Sequence, residues 1–483
     1  MKTIAMLIGG ERVGATGGAT FERRNPLDGQ VATRAPAATP ADAVRAVEAA
    51  QQAFPAWAEM GPGERRALLL KAAAALEAKA DAFAQAVAAE TGGSALWSGF
   101  NVHVAAGMLQ EAASLTTQIT GEIIPSNVPG SLAMAVRQPA GVVLGLAPWN
   151  APVILGVRAV ATPLACGNTV VLKGSELSPA THGLIIEALQ EAGLPPGVVN
   201  FVTNAPADAG AVVEAMVAHP AVRRVNFTGS TRVGKIIAAL CAKHLKPAVL
   251  ELGGKAPFLV LEDADLDAAV NGAAFGAFAN SGQICMSTER IIVDESIADA
   301  FVEKLAAKAR SLPLGDPRQG PVVLGSVVDM GTVQRCNALI DDALAKGAKL
   351  LCGGKADSTL MPATLLDHVT PAMAIYHEES FGPVKGIVRV RGTEAAIACA
   401  NDNPFGLSAA VFSRDVAQAW NVAKRIQSGI CHINAPTVHD EAQMPFGGVK
   451  ESGYGHFGGR AGIDSFTDLR WITLQTTDRH YPF

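Results

Sequence analysis

Residues 280–288 read NSGQICMST and place Cys285 in a polar loop that contains a glycine. Other cysteines, such as Cys166 in PLACGNT and Cys399 in AIACAND, lie in apolar segments, where a thiol usually packs as a small hydrophobic group. The setting of Cys285 is better suited to nucleophilic chemistry. Because a thiolate is intrinsically very nucleophilic, a modest lowering of the thiol pKa would suffice at neutral pH.

Two residues elsewhere in the chain could assist such a nucleophile. Glu251, in LELGGK, ends an apolar run and precedes two glycines, a position in which a desolvated carboxylate can act as a general base. Asn150, in PWN, could donate to an oxyanion together with the backbone N–H of Cys285. A structural ion pair at Glu251 is equally compatible with the local sequence, so both interpretations stay open.

A dinucleotide is suggested by two further segments. FTGSTRVG, with Gly229 and Gly234, is typical of a turn from a strand into a helix, whose free N–H groups can hold a pyrophosphate. Lys173 and Glu176, in KGSE, could hydrogen-bond to two ribose hydroxyls, and the carboxylate would repel a 2′-phosphate. These residues favour NAD over NADP. A glycine-rich turn and an exposed Lys–Glu pair without a ligand remain the alternatives.

The elements that must position these residues follow from the hydrophobic pattern. Alanine and leucine at helical spacing predict helices over residues 40–118. Five strands are then predicted in GVVLGLAP, TVVLKG, VVNFVT, RRVNFTG and AVLELG, with helices around 156–166, 178–192, 208–218 and 232–243. This alternation predicts an α/β fold with a doubly wound parallel sheet, which binds ligands beyond the carboxyl ends of its strands.

A second alternating series runs from PFLVLEDADLDAAV to about residue 435 and predicts a second α/β domain, joined to the first near ELGGK. Three strand-like segments fit neither series: GEIIPS, SLAMAVRQPA and RWITLQ. They predict either a protruding sheet for subunit contact or separate surface hairpins.

Composition excludes several classes of function. The chain has 483 residues, 49% of them hydrophobic, and a formal net charge of -5 without a basic run, which argues against nucleic acid as a partner. Seven scattered cysteines indicate a reducing compartment, and we expect a cytoplasmic protein without an export signal or membrane span. DADLD at 263–267 lacks the glycine and final glutamate of a calcium loop, and the histidines lack ligand spacing, so no metal is expected.

Taken together, the motifs resemble the aldehyde dehydrogenase superfamily over essentially the whole chain. The matching motifs are NP at 25, PWN at 148, KGSE at 173, FTGSTRVG at 227, LELGGK at 250, GQIC at 282, EESFGP at 378, NPFGL at 403 and PFGGVKESGYG at 445. The resemblance implies that Cys285 is the nucleophile, Glu251 the base for hydrolysis and Asn150 the oxyanion donor. It further implies a cofactor site formed by Trp149, Lys173, Glu176, Gly229, Ser230, Gly234, Glu379 and Phe381.

The resemblance also implies a domain organisation. The expected units are a Rossmann-like NAD-binding domain (residues 1–122 and 141–250), a catalytic domain (251–435) and a small β oligomerisation arm (123–140 and 462–483). A homodimer or homotetramer is expected, because members of this superfamily usually form one or the other.

Within the superfamily, three segments are most similar to the salicylaldehyde, vanillin and benzaldehyde dehydrogenase group: ETGGSALWSGFNV, GQICMSTERI and HINAPTVHDEAQMPFGG. Many relatives carry a large aromatic residue directly after the Asn of PWN, where this chain has Ala151, and the smaller side chain leaves volume. Many also carry a second cysteine after the nucleophile, where this chain has Met286. Both differences fit an aromatic substrate. Trp97, Trp149 and Phe446 could form the walls of a flat slot, and Arg158 could reach a ring hydroxyl. Ordinary packing of Trp97 and a salt bridge of Arg158 are the alternatives.

Other functions compatible with the sequence are an aliphatic or semialdehyde dehydrogenase, a relative that transfers the acyl group to coenzyme A, and a non-catalytic NAD-binding structural protein. The carboxylate at 251 disfavours transfer to coenzyme A, and intact candidates at 150, 251 and 285 disfavour a structural protein. A cysteine hydrolase without a cofactor would leave the candidate ribose and pyrophosphate residues unexplained.

Overall fold

The computed structural model describes all 483 residues, which form two large and two small β-sheets. The first strands are β1 (Lys2–Thr3), β2 (Met6–Ile8), β3 (Glu11–Val13), β4 (Thr20–Arg24) and β5 (Val31–Pro36). Four helices follow: α1 (Pro40–Glu59), α2 (Pro62–Glu77), α3 (Ala80–Glu90) and α4 (Ala95–Leu115). Strands β6 (Glu122–Ile124) and β7 (Ser131–Pro139) come next. The helices predicted for residues 40–118 are therefore present.

The first large sheet contains the predicted alternating series. Its elements are β8 (Val142–Leu146), α5 (Pro152–Ala165), β9 (Thr169–Lys173), α6 (Pro179–Glu191), β10 (Val199–Val202), α7 (Ala209–Ala218), β11 (Val222–Thr228), α8 (Thr231–Lys243) and β12 (Ala248–Glu251). The order β12-β11-β8-β9-β10 is parallel throughout, and β2 and β3 extend it antiparallel. The predicted doubly wound sheet is confirmed, because α5 and α6 pack with the core on one face and α1, α7 and α8 on the other.

One predicted boundary was wrong. Helix α5 begins at Pro152 rather than near residue 156, and the proline occupies its first position. Proline is favoured there because its fixed φ suits a helix and its missing N–H would have no partner in the first turn. The earlier start brings the helix close to Asn150.

The second large sheet lies in the second alternating series. Its elements are β13 (Ala256–Val260), α9 (Leu266–Phe278), β14 (Thr288–Asp294), α10 (Ala298–Arg310), α11 (Met330–Ala345), β15 (Lys349–Cys352), β16 (Thr364–Asp367), α12 (Ala374–His377), β17 (Val384–Val390), α13 (Gly392–Asn401), β18 (Ser408–Phe412), α14 (Val416–Ala423) and β19 (Ile430–Ile433). The strand order is β15-β16-β17-β14-β13-β18-β19, with only β15 antiparallel. Apolar cores cover both faces of this sheet.

The last elements connect back to earlier parts of the fold. They are β20 (Gly453–Tyr454), α15 (Gly459–Phe466) and β21 (Thr467–Gln475). Strand β20 pairs with β12, whereas β21 pairs antiparallel with β7 along its whole length and β6 pairs with the other edge of β7. The three strand-like segments therefore form one separate sheet. None of the helices combines the length and the apolar character required for crossing a bilayer.

Candidate active site

Glu251 and Ser230 are brought together by neighbouring parallel strands of the first sheet. Strand β12 ends at Glu251, and its neighbour β11 ends at Thr228, which is paired with Glu251 in register. The chain then turns through Gly229 into α8, where the Ser230 side chain accepts from the N–H of Val233 at 3.4 Å and caps the helix. Because parallel strands end at one edge of the sheet, the candidate base and the helix start share that edge.

The loop before Cys285 is held in an unusual backbone conformation. Asn280, Ser281 and Gly282 have φ values of 48°, 55° and 73°, all in the left-handed region. A Cβ at position 282 would lie 2.2 Å from the carbonyl oxygen of Gly382, so only glycine fits there. Non-glycine residues in this region cost free energy and commonly occur at functional sites. The backbone conformation of residues 280–282 therefore fixes the direction in which the chain enters the loop that carries Cys285.

Asn150 is fixed against this loop by three hydrogen bonds. Its carbonyl oxygen accepts from Trp97 Nε1 and from Asn280 Nδ2, each at 2.9 Å. Its own Nδ2 donates to the carbonyl oxygen of Gln283 at 3.1 Å. An amide carries two N–H groups, so one remains for another acceptor. The amide of Asn150 thus lies next to the segment that carries Cys285.

Glu251 and Cys285 lie side by side. The Glu251 carboxylate is buried, and neither of its oxygens has a hydrogen-bond partner among the protein's polar groups. Burial raises the pKa of Glu251 to about 7. Burial, and then the nearby Glu251 charge, raise the pKa of the Cys285 thiol well above its usual value. The direction of this shift is opposite to the lowering considered from the sequence, although the Cys285 side chain itself is partly exposed.

On the other side of the site, Glu379 and Phe381 follow helix α12. Glu379 Oε1 accepts from the N–H of Gly254 at 3.0 Å, and burial raises the pKa of Glu379 to about 7. Phe381 has a φ of 44°, and its ring meets Trp149 edge to face with 5.8 Å between centroids. The segment that carries Phe381 thus reaches the loop of Trp149 and Asn150 in the other sheet.

A buried cluster of charges supports the segment that carries Glu379. Glu289 Oε2 accepts from Lys255 Nζ at 2.8 Å, and Glu289 Oε1 is paired with Lys385. Although burial opposes ionisation, the two ammonium groups hold the pKa of Glu289 at about 2. The Ser380 N–H and hydroxyl donate to Glu289 at 2.9 and 2.6 Å, and Lys255 donates to the carbonyl of Glu378 at 2.7 Å.

A cavity of about 530 Å³ connects these groups. It lies between the two large sheets, and its lining includes Trp149, Asn150, Gly229, Ser230, Glu251, Cys285, Glu379 and Phe381. This volume is in the range of ligand pockets, and the start of α8 offers N–H groups to an anionic ligand. The residues present therefore fit a dinucleotide that extends from the start of α8 toward Cys285.

Three of the expected cofactor residues lie outside the lining of the cavity. Lys173 and Glu176 form a salt bridge with each other, and Asn204 Nδ2 donates to Glu176 at 2.8 Å. Burial opposes ionisation of Glu176, but Lys173 holds its pKa below the usual value. The next residue, Leu177, does line the cavity. Gly234 lies in the first turn of α8, on its buried side, where a Cβ would lie 2.3 Å from the Leu252 side chain.

The candidate substrate residues fall into two groups. Trp97 is buried, and its ring stacks on Phe100 with 5.5 Å between centroids. Arg158 forms a salt bridge with Asp440, and its guanidinium lies 4.1 Å from the centroid of Phe446. Phe446 belongs to the same apolar cluster as the residues on either side of Cys285. The charge of Arg158 acts on Cys285 and opposes the rise in the thiol pKa, although Arg158 lines a small cavity different from the one that Cys285 lines.

Several residues at the site escape analysis of the sequence alone. Lys255 ends the motif LELGGK, and Glu289 and Asp440 lie within GQICMSTERI and HINAPTVHDEAQMPFGG, but the sequence predicted no role for them or for Lys385. The only signal is one or two charges next to an apolar run, in GGKAPFLV, STERIIV and GPVKGIV. Such a charge usually needs a buried partner, but the sequence does not indicate which residue supplies it.

Comparison of the sequence with known proteins identifies the family of this chain. The aldehyde dehydrogenase family matches residues 13–472. A vanillin dehydrogenase from Pseudomonas fluorescens is 63% identical over 482 residues, covering 100% of both chains. A salicylaldehyde dehydrogenase from Pseudomonas putida is 51% identical and covers 96% of both.

Solved structures agree with the sequence matches. A crystal structure of a salicylaldehyde dehydrogenase from Pseudomonas putida G7, complexed with salicylaldehyde, has a TM-score of 0.99 and 49% identity and covers 100% of both chains. A succinate-semialdehyde dehydrogenase from Burkholderia pseudomallei has a TM-score of 0.95 at 34% identity and covers 98% of both. The match extends over sequence, fold and length, and the chain belongs to the aldehyde dehydrogenase family.

Proposed function

We propose that this chain oxidises aromatic aldehydes to carboxylic acids, with NAD as the cofactor and Cys285 as the nucleophile. The observation that carries the proposal is the placement of Cys285, Glu251 and Asn150 on one cavity of about 530 Å³. The vanillin and salicylaldehyde dehydrogenases that are 63% and 51% identical support the aromatic substrate.

In the first step, the sulfur of Cys285 attacks the aldehyde carbon and forms a thiohemiacetal. Because the thiol pKa is raised, its proton must leave as the C–S bond forms, and the carboxylate of Glu251 beside it can accept that proton. The second N–H of the Asn150 amide and the backbone N–H of Cys285 stabilise the oxyanion. Each donor of this kind typically contributes on the order of 10²-fold or more to the rate.

A nicotinamide dinucleotide bound in the cavity supplies the acceptor for the hydride that the thiohemiacetal must lose. Cys285 is then left as a thioester with the acyl group. After Glu251 has released the thiol proton to solvent, it accepts a proton from water, and the resulting hydroxide attacks the thioester carbon. The C–S bond then breaks, the proton passes from Glu251 to the sulfur, and the carboxylic acid leaves with the thiol regenerated. The free oxygens of Glu251 suit this second use, since no other protein group occupies them.

The cofactor residues divide between the two sheets. Gly229 and Ser230 at the start of α8 bind the pyrophosphate, with Gly234 allowing α8 to pack closely. Lys173 and Glu176 bind the adenosine ribose, while Glu379 binds the nicotinamide ribose and Phe381 and Trp149 flank the ring. A carboxylate at position 176 repels a 2′-phosphate, so we propose a preference for NAD over NADP.

The proposal extends to the organisation of the molecule. Residues 1–122 and 141–250 form the NAD-binding domain, 251–435 the catalytic domain, and 123–140 with 462–483 the arm for assembly into a homodimer or homotetramer. We place the protein in the cytoplasm, since all seven cysteines are free thiols, as in a reducing compartment.

A rate comparison tests this function. We expect kcat/KM for benzaldehyde and its hydroxy and methoxy derivatives to exceed that for hexanal at least tenfold, with NAD preferred over NADP. Product should form without coenzyme A. Equal or faster oxidation of hexanal would contradict the aromatic substrate, and the absence of NADH formation with every aldehyde would contradict the enzymatic function itself.

A further inference from the structure

The salt bridge between Arg158 and Asp440 is buried in an apolar wall. Their side chains are only 5% and 6% exposed. The guanidinium of Arg158 is 4.1 Å from the centroid of Phe446 and 5.8 Å from that of Phe457. A buried ion pair often contributes no more stability than apolar residues of the same size. Stability alone therefore does not explain this pair.

Only one oxygen of the Asp440 carboxylate has a partner. Oδ2 binds Arg158, whereas Oδ1 is buried without any hydrogen-bond partner in the protein. The neighbouring Glu441 has both oxygens occupied, by His439 at 2.8 Å and by Gln443 at 2.7 Å. Because an unpaired buried acceptor is costly, Oδ1 of Asp440 is an acceptor prepared for a donor from outside the chain.

The space beside Asp440 suits one small polar group. Asp440, Arg158, Phe446 and Phe457 line a cavity of about 20 Å³, which is enough for roughly one water-sized group. Its lining also includes Met108, Met444, Glu111 and Glu441. The cavity can therefore hold the polar substituent of a flat ring that packs against the aromatic side chains, but not the ring itself.

This cavity lies close to the reacting groups. Arg158 lies on α5, which begins at Pro152, two residues after Asn150. The charges of Arg158 and Asp440 also reach Glu251, where the first lowers and the second raises the carboxyl pKa. A substrate ring bound on this side of Cys285 would therefore bring its substituents toward the Arg158–Asp440 pair.

We infer that Oδ1 of Asp440 accepts a hydrogen bond from a hydroxyl group on the aromatic ring of the substrate, and that Arg158 positions the carboxylate. The inference rests on the proposed oxidation of aromatic aldehydes and specifies which ring substituent the site selects. A methoxy group has no proton to donate and leaves Oδ1 unpaired. Binding sites that leave a buried polar group unpaired discriminate strongly against the analogue that lacks the partner.

The test compares kcat/KM for the hydroxybenzaldehydes with that for benzaldehyde, using NAD. In the unmodified protein, the best of the 2-, 3- and 4-hydroxy isomers should exceed both benzaldehyde and its own methoxy analogue at least tenfold. In Asp440→Ala, the hydroxy-to-benzaldehyde ratio should fall at least tenfold, mainly through a higher KM for the hydroxy substrate. A ratio near one in the unmodified protein would overturn the inference.

Two further variants separate recognition from folding. Arg158→Met combined with Asp440→Ala removes both charges, so no unpaired charge is buried, and the ratio should again fall at least tenfold. Glu441→Gln changes the adjacent carboxylate and should leave the ratio within twofold. If the Asp440 variants lower the rates with both substrates equally, the residue is only structural and the inference fails. Oxidation of benzaldehyde by the unmodified protein tests the proposed function separately.

Discussion

At the scale of single residues, the site contains a carboxylate that folding alone would not favour. Glu251 is 1% exposed and has no hydrogen-bond partner, yet it occupies the carboxyl end of β12, beside the edge strand β20. An unpaired buried charge is destabilising, and groups of this kind are retained where chemistry requires them. The raised pKa of about 7 gives a base that is matched to neutral pH.

We expect Glu251→Gln to stabilise the folded protein at alkaline pH. Folding raises the carboxyl pKa from its ordinary 4.5 to about 7, so the penalty is absent below about pH 4.5 and complete above about pH 7. A shift of this size corresponds to up to about 3 kcal/mol. Thermal unfolding at pH 8 should therefore show a higher Tm for the variant, and the difference should disappear as the pH approaches 4.5.

The exposed Glu262 provides the matched control. Glu262→Gln should leave Tm nearly unchanged at both pH values, because an exposed carboxylate has the same solvation in both states. A Glu251→Gln variant that is less stable than the unmodified protein at pH 8 would contradict the assignment of an unpaired charge to this position.

At the scale of elements, the support of Glu379 and Phe381 comes from three buried charges, two on different strands and one directly before a third strand. Glu289 on β14 and Lys385 on β17 are joined by Lys255, just before β13, and together they bind the backbone and side chain of Ser380. The segment from Glu378 to Phe381 is thus attached to the centre of the second sheet. Its position is therefore coupled to the folding of that sheet.

We expect Glu289→Gln to destabilise the protein strongly, because two ammonium groups would remain buried without a counter-charge. The cost of breaking such a group is about 3–5 kcal/mol. Chemical denaturation should show this loss, and the affinity for NAD should fall as the Glu379 segment becomes less ordered. Unchanged stability and NAD affinity would refute this role of the cluster.

Glu295, at the end of the same strand, supplies the comparison. It forms an exposed pair with Arg391 at 3.1 Å, and surface pairs contribute only about 0–1 kcal/mol. Glu295→Gln should therefore change the free energy of unfolding by less than about 1 kcal/mol.

These elements also show what the sequence could predict. The strands and helices of the first sheet follow from local periodicity and turn residues, so they were predictable together with the strand ends that carry Lys173 and Glu251. The partners of Glu289 were not, because they are 34 and 96 positions away in the chain. The raised pKa of Cys285 was also unpredictable, since it depends on burial of the whole loop and on the proximity of Glu251.

At the scale of the whole molecule, one surface is unusually apolar for an exposed sheet. On one face of the sheet β6-β7-β21, Ile124, Leu469 and Trp471 are 46%, 62% and 79% exposed. Contiguous apolar side chains of this kind commonly mark contacts between proteins. This sheet is the proposed oligomerisation arm, and it pairs the last strand of the chain with a strand that precedes the first large sheet.

We expect Trp471→Asp to shift the assembly toward monomers or smaller oligomers. A charge in the centre of an apolar interface carries a large desolvation cost that the separated subunits do not have. Sedimentation velocity should show a lower mass for Trp471→Asp. Trp420, on α14, is 59% exposed and lies outside this sheet, so Trp420→Asp should leave the mass of the assembly unchanged. An unchanged oligomer in Trp471→Asp, or a monomer in the unmodified protein, would contradict the role of the arm.

The central claim is that Cys285 carries the acyl group and that Glu251 directs water to release it. Intact-protein mass spectrometry of Glu251→Gln, mixed with NAD and benzaldehyde, tests both parts in one measurement. We expect one NADH per site and a stable gain in mass of one benzoyl group, mapped to Cys285 and absent in Cys285→Ala. Turnover of Glu251→Gln at the unmodified rate without any adduct, or an adduct on another residue, would contradict it.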